Sequence, residues 1–504
     1  MTIREKFASA STIAVCVSLL VSSCFSGRST DTTVASAGES AATVSSVAAV
    51  ESVPAVKAVS WHSCGSGGTM ECATVTVPWD HADPTMGTLD IPIMRHTASG
   101  SGPSLGTIVF NPGGPGVPGT QAFDGLSRSF VGLLERFDVV SFDPRGTGGA
   151  QRVDCGIDPI ALVALDQTAG PGSAASEAWA TMATACRTSM GERLGLVSTA
   201  ETAKDVDLIR QALGVETIDW FGTSYGTRLG AEYLRQFPDR VGSMVLDGAI
   251  DPTATFEQRL REATSAAESG VERLLSSCAG ENPCPLGTDP LGVYDTLAER
   301  LASEPLTSTD GHTVGLIALQ VAAGTAASEP AFTGHSFIAA LGSDGTTQAD
   351  GLLEVGSGND PAGHDTTDAY WTIHCNDEAD HPDAVAVAAL ARELSASAPR
   401  VGLGLVTTFI APCQAWPEPT EPRVPTSITT DVPVLVVGST GDPSTPYSWS
   451  QHMAAPISGA RLLTRQGDDH TALYTTFMAG CAGTAIEKFF VDPTASSLPD
   501  SCPD

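Results

Sequence analysis

Short apolar segments, each ending in a turn rich in glycine or aspartate, recur along the chain from residue 59 onward. The segments 73–80 and 88–96 alternate apolar and polar residues, a pattern that predicts antiparallel strands with one buried face. Five later segments are almost continuously apolar, at 106–111, 137–142, 217–221, 243–247 and 432–438. Continuous apolar runs of this length are typical of strands buried on both faces of a parallel sheet.

Helical periodicity separates these predicted strands. The segment 198–214 opens with Ser198 three residues before Glu201, the spacing of a capping box, and closes at Gly214. Such alternation predicts an α/β fold with a mostly parallel, doubly wound sheet. From 252 to 428 an Ala-, Glu- and Leu-rich stretch with helical periodicity replaces the strand pattern. We expect a helical cap there, inserted above the carboxyl ends of the strands, where open α/β sheets bind their ligands.

The first residues have the features of a bacterial export signal. Arg4 and Lys6 precede an apolar stretch that is too short and too rich in Ser and Ala for a comfortable membrane span. The stretch ends in small residues and then Cys24, which resembles a lipobox, where the cysteine becomes the lipidated first residue. A lipidated cysteine with two or more acyl chains anchors a protein stably. An ordinary secretory signal that is cut nearby is the alternative.

These patterns divide the chain into five expected regions. They are a lipoprotein signal peptide at 1–23, a flexible Ser/Thr/Ala-rich tether at 24–58, the first part of the core at 59–251, the helical cap at 252–428 and the second part of the core at 429–504. We therefore expect a protein at the extracellular face of a bacterial membrane, held there as a lipoprotein, or a secreted protein.

Charge and cysteine content narrow the choice of partner and compartment. A formal net charge of −32 argues against nucleic acid, whose phosphates require a basic surface, and against electrostatic binding to anionic lipid. The charge provides solubility, and steering of cationic substrates is the alternative role. The ten cysteines after Cys24 favour five disulfides between neighbours, since no Cys-x-x-Cys spacing supports zinc. The expected pairs are Cys64–Cys72, Cys155–Cys186, Cys278–Cys284, Cys375–Cys413 and Cys481–Cys502.

A Gly-x-Ser-x-Gly motif at 222–226 follows the predicted strand 217–221 and precedes a predicted helix. This context is that of a nucleophile elbow, which presents the serine hydroxyl at a helix amino terminus. We therefore predict Ser224 as a nucleophile rather than an ordinary turn residue. The glycine-rich loop 111–116 would place the amide of Gly114 beside that of Tyr225 as an oxyanion hole. A phosphate loop is the alternative, but the P-loop lysine and the Gly-x-Gly-x-x-Gly spacing are both missing.

A serine nucleophile requires a base, and in a fold with such an elbow the chain order is serine, acid, histidine. Asp442 and His470 follow the last two predicted large strands, so we predict that they complete a triad with Ser224. His374 and His452 are the alternative bases, and Asp247 is the alternative acid. We expect Asp468 and Asp469 to be solvated turn residues.

The chain resembles the actinobacterial tripeptidyl aminopeptidase family, secreted relatives of proline iminopeptidase with the α/β-hydrolase fold. The matching segments are NPGGPG, FDVVSFDPRGTG, GTSYGTRLGAEYLRQFPDRVGSMVLDGAIDP, PVLVVGSTGDPSTP and the end that carries Cys481 and Cys502. Two segments depart from the family pattern: Val117-Pro118-Gly119 replaces an expected Gly-Ser turn, and His470 follows GDD rather than standing in a Gly-His-Gly context. Neither departure removes a predicted catalytic group, but both affect the shape of the pocket.

The resemblance implies a serine exopeptidase that acts on peptides with a free amino terminus and uses neither cofactor nor metal. Exopeptidases of this family hold the substrate's ammonium group with cap carboxylates, and Asp377 and Glu378 are the candidates. A solvated acidic stretch is the alternative for these two residues. For the whole chain the alternatives are an envelope esterase or lipase of the same fold and a catalytically inactive envelope-binding lipoprotein. We expect contact with the membrane only through the lipid anchor, and none with nucleic acid.

Overall fold

The computed structural model describes residues 57–65, 69–149, 151–156, 174–280, 283–357, 364–378, 381–417, 428–473 and 480–503. The predicted signal peptide, the lipidation site Cys24 and almost all of the predicted tether lie outside these residues. Among the helices within the described ranges, none is both long and apolar enough to cross a membrane.

A large mixed sheet forms the centre of the described structure. Its strands are β1 (His62–Cys64), β2 (Met70–Pro78), β3 (Thr88–His96), β4 (Thr107–Asn111), β5 (Asp138–Phe142), β6 (Ile218–Thr223), β7 (Val241–Asp247), β10 (Val434–Ser439), β11 (Arg461–Gln466) and β12 (Ser501–Pro503). A separate ribbon consists of β8 (Leu306–Thr307) and β9 (Thr313–Val314). The spatial order of the large sheet is β1-β2-β3-β5-β4-β6-β7-β10-β11-β12.

Strand direction follows the sequence patterns. The alternating strands β2 and β3 pair antiparallel, and β3 joins β5 in the same way. Within the large sheet, neighbouring strands in the spatial order β5-β4-β6-β7-β10-β11-β12 pair parallel, so their carboxyl ends lie at one edge of the sheet. The apolar strand β10 is buried at every position, which agrees with the expectation that helices cover both faces. The fold is therefore the mostly parallel, doubly wound α/β sheet that the sequence predicts.

Helices of the α/β core lie on both sides of this sheet. They are α1 (Gly119–Leu126), α2 (Val131–Leu134), α3 (Ala174–Met190), α4 (Thr199–Leu213), α5 (Tyr225–Gln236), α14 (Tyr447–Ala454) and α15 (Gly480–Val491). Helix α4 begins where the capping signal predicts: the Ser198 side chain accepts a hydrogen bond from the amide of Glu201. It ends at Gly214, whose φ of +74° lies in the left-handed region that favours glycine.

A set of helices lies between β7 and β10 in the sequence. They are α6 (Phe256–Ala279), α7 (Pro290–Leu301), α8 (Leu316–Ser328), α9 (His335–Leu341), α10 (Gly345–Gly356), α11 (His364–Asn376), α12 (Ala384–Ser397) and α13 (Gly402–Phe409). The Ala-rich helix α8 is buried along most of its length and contacts α6, α10 and α13. Short alanine side chains let these helices approach α8 closely, so α8 is the centre of the helical region.

Five disulfides join cysteines that are neighbours along the chain. The bonded pairs are Cys64–Cys72, Cys155–Cys186, Cys278–Cys284, Cys375–Cys413 and Cys481–Cys502. In the chain-entropy model each bridge of this kind stabilises a fold by roughly 2–4 kcal/mol. The bridge from Cys375 to Cys413 fixes the end of α11, which leads into the acidic segment at 377–378.

Candidate active site

Ser224 occupies a sharp turn between β6 and α5. Its φ and ψ angles are +54° and −124°, a conformation that costs a residue other than glycine about 1–3 kcal/mol. A Cβ atom on Gly222 would overlap the carbonyl oxygen of Gly226, so only glycine fits at that position. The amide of Ser224 donates to the Asp247 carbonyl oxygen at 2.9 Å, which ties the turn to the end of β7. The motif therefore adopts the geometry of a nucleophile elbow.

The glycine-rich loop after β4 packs against this elbow. The Thr223 hydroxyl donates to the carbonyl oxygen of Pro112 at 2.8 Å. A Cβ atom on Gly113 would lie 3.0 Å from the Ser224 Cβ atom and 3.2 Å from the Tyr225 amide nitrogen. The absence of a side chain thus lets the loop backbone approach the serine. This approach brings the loop that carries Gly114 close to the amide of Tyr225.

His470 and Asp442 meet at the same edge of the sheet. The imidazole Nδ1 atom lies 2.9 Å and 3.0 Å from the two carboxylate oxygens of Asp442, and both side chains are buried. Within the described part of the chain, Nε2 of His470 has no hydrogen-bond partner. With a proton on Nδ1 directed to the carboxylate, Nε2 presents a lone pair, as a general base requires.

The groups around His470 and Asp442 affect the pKa of the imidazole and bind the carboxylate. Burial lowers the pKa of His470, but the charge of Asp442 and the hydrogen bond to it outweigh burial and leave the pKa raised. The Asp442 carboxylate also accepts hydrogen bonds from the amides of Ser444 and Thr445, each at 2.8 Å. These amide donors stabilise the ionised carboxylate, so it can in turn stabilise a protonated imidazole.

The alternative bases and the alternative acid have other partners, and so do Asp468 and Asp469. His374 lies at 5.8 Å in a stack with Tyr370, and burial lowers its pKa to about 4. His452 lies 2.5 Å from Asp251, with half of its side chain exposed. Asp468 and Asp469 pair with Arg273 and Arg465 at 3.5 Å and 3.1 Å, respectively. Asp247 contacts the backbone that follows His470.

Asp377 and Glu378, the cap carboxylates proposed from the sequence, have protein partners in the structure. Asp377 accepts hydrogen bonds from the amide and the hydroxyl of Thr199, at 2.8 Å and 2.5 Å. Glu378 lies 2.9 Å from both Arg228 and Arg259, and Arg228 is also 3.4 Å from Asp377. Both acidic side chains are buried. These pairs join the helical region to α4 and α5. A role for Asp377 and Glu378 at the substrate's ammonium group stays a prediction.

A different carboxylate, that of Glu329, faces the base. Ser328 to Phe332, together with Asp469 and His470, line a small cavity beside the imidazole. Oε2 of Glu329 is buried and has no hydrogen-bond partner among the described residues. Burial raises the pKa of this carboxyl to about 7, and the charge of His470 partly opposes the increase.

Sequence reasoning missed Glu329 because it is one of 58 acidic residues in the chain. One local feature of the sequence could have indicated this residue. Glu329 follows the last residue of α8 and precedes Pro330, so its carboxylate lies at a helix carboxyl terminus, where negative charge is unfavourable.

Comparison with known proteins supports the fold and the class of enzyme. The family model described as alpha/beta hydrolase fold matches residues 106–476. The chain is 31% identical over 458 residues to the serine protease Hip1 of Mycobacterium tuberculosis, an alignment that covers 82% of this chain and 86% of that protein. It is also 31% identical to carboxylesterase B of the same species, over 86% of this chain and 88% of that protein. The tripeptidyl aminopeptidase of Streptomyces lividans is 33% identical over 39% of each chain.

The chain therefore belongs to the α/β-hydrolase family, on the branch that includes these actinobacterial relatives. It is a serine hydrolase, and the predicted fold and family are confirmed. Among the described residues, no group of three or more His, Cys, Asp and Glu side chains converges in a way that could hold a metal ion.

Proposed function

We propose that the chain is a serine exopeptidase that removes short peptides from the free amino terminus of its substrates. In the first half of the reaction, the Ser224 hydroxyl attacks the scissile carbonyl carbon and His470 accepts the hydroxyl proton at Nε2. Asp442 orients the imidazole and stabilises its positive charge. The amides of Gly114 and Tyr225 donate to the oxyanion that develops on the carbonyl oxygen.

Collapse of the tetrahedral intermediate completes acylation. The carbon–nitrogen bond breaks, His470 returns the proton to the leaving amine, and the acyl group remains on Ser224. A water molecule then attacks the ester carbonyl while His470 accepts a proton from it. The bond between the acyl carbon and the Ser224 oxygen breaks, and His470 returns that proton to the Ser224 oxygen. The released products are a short peptide with a new carboxyl terminus and the shortened substrate. These steps require no redox change.

The Oε2 atom of Glu329, which has no hydrogen-bond partner among the described residues, supports the proposal that the enzyme acts at a free amino terminus. A buried carboxylate without a donor is costly, and a charged group in such a site normally has a partner. The cavity that Glu329 shares with His470 holds about one water molecule, and a substrate's ammonium group is of similar size. Phe332 lines the same cavity with 39% of its surface exposed, an apolar contact for the substrate chain. We propose that the ammonium group pairs with Glu329 during catalysis.

The experiment compares peptides with free and acetylated amino termini, with one, two or three residues before the scissile bond. We expect kcat/KM to fall at least about 100-fold on acetylation, since a close desolvated charge pair contributes several kcal/mol. Glu329→Gln should cause a similar loss on free peptides and leave hydrolysis of a small neutral ester unchanged. Glu354→Gln, an exposed carboxylate on α10, is the matched control. Equal rates on free and acetylated peptides would exclude an exopeptidase.

An esterase is the second candidate, because carboxylesterase B is as similar to this chain as the serine protease Hip1. The triad suits esters and amides equally. Esterase function predicts fast turnover of neutral esters, no turnover of free peptides and no effect of Glu329→Gln. A catalytically inactive binding protein differs from both enzymes, because a fluorophosphonate probe would not label its Ser224.

We also propose that the protein is exported and anchored through a lipid on Cys24. The lipobox-like sequence and the five disulfides support this location, since disulfides persist in oxidising compartments. Growth of the producing bacterium with an alkyne fatty acid should label the protein. Cys24→Ala should abolish the label and release the protein from the membrane. An unlabelled wild-type protein in the medium would indicate an ordinary secretory signal.

A further inference from the structure

We propose that Asp247, at the end of β7, is a positioning residue that holds His470 in register with Ser224. This inference rests on the proposed triad, but it assigns a role to a carboxylate that takes no part in the reaction scheme above. The supporting observations are its hydrogen bonds, the backbone conformation of the segment that it holds, and the charges around it.

The Asp247 carboxylate binds the backbone amides of Ala472 and Leu473, which follow His470 and Thr471 in the chain. One oxygen accepts a hydrogen bond from the Ala472 amide at 3.0 Å, and the other accepts from Ala472 at 2.9 Å and from Leu473 at 3.0 Å. Asp247 is completely buried, so no water competes for these donors. The carboxylate thus fixes the two residues that follow the histidine and its neighbour Thr471.

The same residue holds the nucleophile turn from its backbone. The carbonyl oxygen of Asp247 accepts the 2.9 Å hydrogen bond from the Ser224 amide. In the sheet, Asp247 pairs with Thr223 on one side and with Val437 on the other. One residue therefore contacts the elbow through its main chain and the histidine segment through its side chain.

The segment after His470 has a backbone conformation that requires such support. Thr471 has a φ of +59°, in the left-handed region that β-branched residues avoid. The amide of Thr471 lies 3.4 Å from Asp442, a long hydrogen bond, whereas the bonds from Ala472 and Leu473 to Asp247 are shorter. The Asp247 carboxylate thus makes shorter hydrogen bonds to this turn than the Asp442 carboxylate does.

Asp247 also adds negative charge near the imidazole. Burial raises its pKa to about 6, against the opposing effects of the Ala472 and Leu473 amides, His470 and Arg465. The charged groups that act on His470 itself include Asp442, Asp247 and Glu329. Removal of the Asp247 charge makes protonation of His470 less favourable, so its pKa falls.

The test is Asp247→Asn, with Asp219→Asn as the matched control. Asp219 is a partly buried carboxylate near the amino end of β6 that accepts from the Ser243 hydroxyl at 2.8 Å, at the far edge of the sheet from the site. We expect Asp247→Asn to lower kcat about 100-fold with KM within about twofold, the scale of a misplaced catalytic group. The acid limb of kcat/KM should move to lower pH, and fluorophosphonate labelling should slow in proportion to kcat. Asp219→Asn should leave all of these properties unchanged.

Several outcomes overturn the inference. A folded Asp247→Asn protein with the wild-type kcat and acid limb would exclude a positioning role. If that variant does not fold, Asp247→Ser, which places a smaller acceptor without an opposing N–H group, is measured in the same way. Failure of both variants to fold, with Asp219→Asn folded, would assign Asp247 a purely structural role. If the wild-type protein is not labelled at Ser224, it is the proposed function that fails.

Discussion

The buried Oε2 atom of Glu329, without a partner among the described residues, leads to a prediction about stability as well as about substrate. We expect Glu329→Gln to raise the free energy of unfolding at pH 8 and to change it little at pH 5. Glutamine is close in size to glutamate but carries no charge, so the substitution removes the cost of holding an ionised group in the cavity. The same change should abolish the preference for free amino termini, so it makes the protein more stable and less selective.

The magnitude follows from the pKa of Glu329, which is about 7 in the folded chain against an ordinary value of 4.5. Between these values the unfolded chain binds fewer protons than the folded chain, so stability falls as the pH rises through this window. The cost is complete above pH 7 and amounts to about 3 kcal/mol. At pH 5 most of the cost is absent, because the folded carboxyl is still protonated.

The assay is urea unfolding of the oxidised protein at pH 5 and pH 8, with equal slopes required for wild type and variant. Glu354→Gln serves again as the control, because an exposed carboxylate should show no comparable dependence on pH. A non-cleavable peptide with a free amino terminus should stabilise the wild type more than Glu329→Gln, since its ammonium group supplies the missing partner. An equal gain at both pH values, or no gain at pH 8, would refute this account of the cavity.

Three further predictions concern the triad and the arginine pairs. Ser224→Ala and His470→Ala should each lower kcat by about 10⁴–10⁶-fold in steady-state assays. The double variant should lose no more activity than either single variant, because the groups act as a unit. Additive losses would contradict this prediction. Because the pKa of His470 is raised above its ordinary value of 6.5, kcat/KM measured across pH should fall on acidification with a midpoint above 6.5; a midpoint at or below 6.5 would contradict the raised pKa. Glu378→Gln should destabilise the fold by about 3–5 kcal/mol, since Arg228 and Arg259 would be left buried without that partner. It should leave the ratio of rates on free and acetylated peptides unchanged, and a changed ratio would return Glu378 to a role in binding.

The sequence predicts the location of the proposed triad because each member follows a strand. Ser224 follows β6, Asp442 follows β10 and His470 follows β11. Parallel strands place their carboxyl ends at one edge, so positions far apart in the chain become neighbours once the strands are recognised. The turn chemistry is also local, since a glycine at 222 is required by the elbow itself. Such features depend on a few adjacent residues, and patterns in the sequence reveal them.

The partners of the cap carboxylates could not be predicted in the same way. Glu378 meets Arg228 of α5 and Arg259 of α6, residues 150 and 119 positions away in the chain. No periodicity in the acidic segment indicates how the helical region packs on the core. With 58 acidic residues and 26 basic ones, the chain has fewer basic residues than carboxylates, and the sequence does not show which carboxylates have a basic partner. For Glu329 the difficulty is the reverse, because the sequence does not show that one of its carboxylate oxygens lacks a donor among the described residues.

The hydrogen-bond donors around each buried carboxylate indicate what that carboxylate does in the protein. Glu378 pairs with guanidinium groups, an arrangement that fixes the packing of one region on another. Asp442 and Asp247 accept backbone amides, which do not titrate, so these carboxylates remain in place as the imidazole gains and loses its proton. Glu329 has one oxygen with neither kind of donor. A protein that had only to be stable would gain by replacing that carboxylate with a neutral side chain, so a function at the site is the physical reason to keep it. In the proposed function, a cationic group of the substrate, which arrives only when the enzyme is occupied, would be the partner that satisfies this condition.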